Sequence, residues 1–209
     1  MSYKQLKNAS QGHDMKTGLY HPEFEHDSCG FGLIAQMDDK PSHWLVSTAV
    51  TALARMTHRG AVAADGKTGD GCGLLLKKPD SFLRTVTEES GIRLGSTYAV
   101  GMVFLDRADE ARQNKARATL AAELEALNLS VAGWRVVPVD PDQACGKQAL
   151  ANYPLVEQVF VNCGPDQSEE EFNVSLFVAR RKTELALESE DPVFYISSLS
   201  TSVVAYKGL

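Results

Sequence analysis

Asp27-Ser28-Cys29-Gly30-Phe31-Gly32-Leu33-Ile34-Ala35 sets a cysteine at the head of an apolar run, directly behind a polar segment. Gly30 to Ala35 reads as a buried strand, and its two glycines leave room for another backbone or a ligand. A free cysteine at a strand start is most often a small packed apolar residue. A second reading is chemical. If the chain were cut between Ser28 and Cys29, the cysteine would carry a free α-amine, whose reference pKa is about 7.7–8.0. That amine is basic enough to take the thiol proton, and no separate histidine is then required.

The remaining sequence frames these two readings. Residues 1–28 are polar and aperiodic, with Gly12, Gly18 and Pro22, and read as a flexible arm ahead of one body over 29–209. The arm has no apolar core, so it is not a secretory signal, and its lack of arginine argues against an organellar transit peptide. Helical spacing of Val46, Ala49, Val50, Leu53 and Met56 predicts a helix over 42–56. Ala64-Asp65-Gly66-Lys67-Thr68-Gly69-Asp70-Gly71-Cys72-Gly73 is too rich in glycine for a regular element. Beyond it, strands are expected at 74–77, 98–105, 131–139, 156–161, 193–198 and 203–206. Helices are expected at 79–90, 108–127 and 168–187, the last opened by the capping box Ser168-Glu169-Glu170-Glu171. The mixed order of elements indicates an α+β or α/β fold.

Composition removes several classes of function. Of 209 residues, 44% are apolar and 23% charged, which suits a folded domain. Acids outnumber bases 27 to 21, so the net charge of −6 argues against a nucleic-acid or anionic-membrane surface. No apolar run approaches the ~20 residues of a membrane helix. Cys29, Cys72, Cys145 and Cys163 contain no CxxC pair, which disfavours a zinc ribbon or a thioredoxin-like site. With no secretory signal, the chain reads as cytoplasmic and its thiols as reduced. Gly66-Lys67-Thr68 suggests a phosphate-binding loop, but the required glycine five positions earlier is Ala61.

Three segments together carry a family likeness. They are Cys29-Gly30-Phe31-Gly32, Ala54-Arg55-Met56-Thr57-His58-Arg59-Gly60-Ala61, and the glycine-rich run from Ala64 to Gly73. In combination they resemble the class II glutamine amidotransferases, in the form these take in the glutamate synthase large subunit. Leu19 to Asp27 is similar to the propeptide junction of that form. The resemblance implies an α+β fold of the N-terminal-nucleophile hydrolase kind, two stacked sheets between helices (αββα), here incomplete at its C-terminal end. It implies a propeptide-like arm over 1–28 and the N-terminal part of the amidotransferase domain over 29–209.

The resemblance also implies chemistry. Cys29 falls at the nucleophile, and Arg59 at an arginine that orders the new N-terminus. The substrate is glutamine, and the released ammonia serves glutamate synthesis from 2-oxoglutarate. FMN and a 3Fe-4S cluster are implied in other parts of such a chain, with a small NADPH-oxidising subunit or ferredoxin as electron-supplying partner. His58 is read as structural, at a helix exit where it satisfies nearby carbonyls. The family's oxyanion hole uses an Asn-Gly pair, and no such dipeptide occurs here. One such donor lowers a barrier by roughly 2.7–4 kcal/mol. The expectation is therefore the nucleophile half of a site, carried on a fragment. The alternatives are another class II amidotransferase and an inactive truncated binding module.

Overall fold

The computed structural model describes residues 30–56, 60–69 and 71–208. A four-stranded antiparallel sheet forms its centre. β2 (Tyr98–Leu105) lies between β4 (Leu155–Asn162) and β5 (Tyr195–Ser200), and β3 (Ser130–Val136) pairs with the outer side of β4. β2 is the continuous apolar strand its sequence predicts. Buried on both faces, it has Val100, Val103 and Leu105 at zero exposure.

The alternation of a strand divides that burial into two cores. On one side, Ala99, Val103, Leu105, Val159 and Val161 meet α3 (Glu110–Glu125) and α6 (Glu169–Leu187) through Leu120, Leu124, Phe172 and Leu176. Asn128, with φ of 59°, takes the left-handed position that ends the turn after α3. The capping box of α6 forms as read: Ser168 Oγ accepts from the Glu171 N–H, and Glu171 Oε2 accepts from the Ser168 N–H at 2.9 Å.

On the other side, Tyr98, Val100, Met102 and Phe160 meet Leu83 of α2 (Asp80–Glu89) and Val204 and Tyr206 of β6 (Val203–Gly208). β6 leaves the first sheet through Thr201-Ser202 and pairs antiparallel with β1 (Cys72–Lys77), Leu74 opposite Tyr206. Beyond this two-stranded sheet lies α1 (His43–Ala54), capped by Ser42 and in contact with β1. The order helix pair, sheet, sheet, helix is the layering that the family likeness implies.

Three features differ from the sequence reading. Gly30 to Ala35 forms no strand, and Phe31 and Leu33 stand 92% and 90% exposed. An extended segment becomes a strand only by pairing, and β1 has β6 as its sole partner among the described residues. α4 (Pro141–Ala144) and α5 (Lys147–Asn152) are unforeseen. The signal for α4 was present in Asp140-Pro141: the Asp140 side chain caps the Gln143 N–H, with proline in the first turn. The last two strands run two residues further than expected.

Candidate active site

The two residues expected to carry chemistry, Cys29 and Arg59, lie outside the described residues, as do His58 and Asp70. The surrounding elements are defined. Downstream of Cys29, the chain runs to a turn at Asp38-Asp39, where Asp39 adopts φ of 54°. Lys77 Nζ, at the end of β1, donates to both Asp39 carboxylate oxygens at 2.7 Å. That pair fastens the segment following Cys29 to the two-stranded sheet. Both partners are exposed, so its contribution lies at about 0–1 kcal/mol.

Upstream of Arg59 stands α1; downstream is a small hairpin. Val62 and Gly69 form an antiparallel bridge, the Ala63 N–H donates to Thr68 O at 2.7 Å, and the Gly66 N–H donates to Ala63 O at 3.0 Å. Gly66, at φ of 73°, makes the turn. Asp65 holds it closed. Its Oδ1 accepts from the N–H groups of Lys67 (3.1 Å) and Thr68 (2.8 Å), and its Oδ2 accepts from the Thr68 hydroxyl at 2.6 Å. The Thr68 hydroxyl, its N–H and that of Lys67 hold the Asp65 carboxyl well below the usual carboxylate range. Because Lys67-Thr68 sits in a hairpin rather than at the start of a helix, the rejection of a phosphate-binding loop stands on geometry as well as spacing.

The glycines after the hairpin admit close packing. A Cβ on Gly73 would lie 2.8 Å from Tyr206 O, and one on Gly71 3.3 Å from Gly208 O. Cys72 between them is exposed, at the first residue of β1. Cys145 and Cys163 are half-buried and unpaired, and burial pushes the Cys163 thiol up. Among the described residues no group of three or more His, Cys, Asp or Glu side chains could hold a metal ion. No helix among them is long and apolar enough to cross a membrane.

Two features of the region escaped the sequence reading. Tyr206 on β6 is bridged through Gln158 Nε2 (3.4 Å) to the first sheet, where Arg135 donates to Gln158 Oε1 at 3.0 Å. Burial raises the Tyr206 phenol above its ordinary value. Asp65 also reaches Gln148 of α5, a contact that no local pattern announces.

The model of the class II glutamine amidotransferases matches residues 29–209, starting at the cysteine itself. The chain belongs to this family. Class II amidotransferase domains have the N-terminal-nucleophile hydrolase fold, and the antiparallel sheets and flanking helices above are its α+β architecture here. The chain is similar to the large chain of NADPH glutamate synthase from Azospirillum brasilense, 40% identical over 192 residues, covering 91% of this chain and 13% of the relative. The corresponding large chain of Bacillus subtilis is 37% identical over 210 residues, with 100% and 13% covered. Ferredoxin-dependent glutamate synthase 2 of Synechocystis is 39% identical over 191 residues, with 88% and 12% covered. The amidotransferase chain thus spans about an eighth of the length of these relatives.

Proposed function

We propose that this chain is the glutaminase part of a glutamate synthase large chain, with Cys29 as nucleophile after removal of residues 1–28. What supports the reading is that the family match begins at residue 29, so that cysteine stands first in the matched domain. The freed α-amine of Cys29 takes the proton of its thiol. The thiolate then adds to the side-chain amide carbon of glutamine, giving a tetrahedral oxyanion. Collapse breaks the C–N bond, and the nitrogen leaves as ammonia with the proton returned from the α-amine. Water next cleaves the thioester, releasing glutamate and restoring the thiol. Arg59 orders the new N-terminus through hydrogen bonds, keeping amine and sulfur in register.

The ammonia is used to make glutamate from 2-oxoglutarate, in the cytoplasm. Reducing equivalents come from a small NADPH-oxidising subunit or from ferredoxin; the names of two of the relatives carry NADPH and ferredoxin. FMN and the 3Fe-4S centre are assigned to other parts of a longer chain. The experiment is Cys29→Ala in the full-length protein. Glutamine-dependent synthesis is expected to vanish while synthesis from free ammonia persists. Equal loss of both would make Cys29 structural, and active enzyme whose intact mass still begins at Met1 would remove the proton acceptor.

A further inference from the structure

Asp65 ties the hairpin over 61–69 to a distant part of the chain. Asp65 Oδ2, besides closing its own turn, accepts from the Gln148 N–H at 3.4 Å. Gln148 is in the first turn of α5, whose N-cap is Gly146, a residue with no side chain to satisfy the helix's leading N–H groups. Asp65 therefore does for α5 what an N-cap side chain does, from 83 positions away in sequence. Gly146 makes the approach possible: a Cβ there would collide with Asp65 Oδ2 and Thr68 Oγ1.

α5 is in turn fixed to the rigid centre. Its Ala149 is buried. Tyr153, just past its end, lies under the Arg107 guanidinium, 4.0 Å from the ring centre. Two residues later β4 begins, leading into Val159 and Phe160 at zero exposure. The other end of this line is the start of the hairpin, Ala61-Val62, separated from Arg59 only by Gly60.

We propose that Asp65 and Gly146 are positioning residues for the glutaminase reaction, mooring the backbone that carries Arg59 to the sheet through α5. The proposal rests on the roles given to Cys29 and Arg59 above. Neither residue touches the reacting atoms; their effect passes through the placement of Arg59, and so falls on the chemical step rather than on glutamine affinity.

The test uses the full-length protein with Asp65→Ala, Asp65→Asn and Gly146→Ala. Lys67 is exposed at the hairpin tip and offers a tryptic site. In Asp65→Ala and Gly146→Ala, cleavage after Lys67 should accelerate about tenfold, the scale of losing one helix cap. Glutamine hydrolysis should lose about tenfold in kcat with KM held, while far-UV circular dichroism stays that of the parent. Asp65→Asn keeps an acceptor oxygen for the Lys67 and Thr68 N–H groups but sets an amide donor against the Gln148 N–H, so it should still close the turn yet share the kcat loss of the other two variants. Wild-type cleavage rates in both disruptive variants would overturn the mooring. A loosened hairpin with unchanged kcat, or global unfolding of both variants, would overturn the positioning role. Retention of glutaminase activity by Cys29→Ala would instead sink the parent reading, whatever these variants do.

Discussion

The four-stranded sheet and the α1–β1 region are built to different standards. Around β2 the side chains of Val100, Val103, Leu105, Phe160 and Phe172 are shut off from water completely. Within α1 none of the described residues is buried: Trp44 is 69% exposed and Val50 49%, and Leu75 of the adjoining β1 is 69% exposed. Stability therefore resides in the first region, while the segments flanking Cys29 and Arg59 belong to the second. Their geometry relies on a few specific ties, Asp39 to Lys77 and Asp65 to Gln148, rather than on a shared core.

Deleting packing at the centre should break this contrast most severely. Phe172→Ala is expected to cost about 3–5 kcal/mol, read from the urea midpoint. Arg117→Ala comes next. Its guanidinium donates to both oxygens of Glu157 at 2.7 and 2.8 Å, and the Glu157 side chain is only 6% exposed. Losing the partner strands a buried carboxylate, at about 3 kcal/mol in the same assay.

Ser168→Ala should cost about 1 kcal/mol by removing the cap of α6. The same box titrates. The Ser168 N–H and hydroxyl hold the Glu171 carboxyl below its ordinary value. A depressed acid stabilises the fold above its unfolded pKa, ~4.3, and that share is lost as pH falls through the folded value. The gap between parent and Ser168→Ala, followed by urea midpoint, should therefore narrow below pH ~4. The smallest effect belongs to the other region: Trp44→Ala should stay within about 0.5 kcal/mol. A loss comparable to that of Phe172→Ala would mean that α1 is packed in solution, and the contrast would fail.

The same division governs what could be read in advance. β2 falls on Tyr98–Leu105 as predicted, because seven apolar residues and one glycine between turn signals have one stable fate in a sheet centre. The last turn of α6 ends at Leu187 as predicted, and its start was legible in four residues of capping box. Gly30 to Ala35 carried an equally apolar pattern, yet a strand needs a neighbour that its own residues do not specify. Likewise, Asp65 sits in a loop that any reading would find, but its partner at Gln148 comes from another stretch of chain and leaves no local mark. The roles proposed for Cys29 and Arg59 rest on the combination of three motifs, since a cysteine before a glycine-containing apolar run is by itself more often a packed residue.

The pairing of β1 with β6 sets a schedule for biosynthesis. Cys72 faces Gly208, so the β1–β6 ribbon cannot close until roughly 130 further residues have been translated, on the order of ten seconds at ribosomal rates. Through that interval the emerging N-terminal portion holds an unpaired edge and exposed apolar side chains. A nascent chain stalled with Val203–Gly208 still inside the ribosome should thus be a better substrate for chaperones than one from which that strand has emerged.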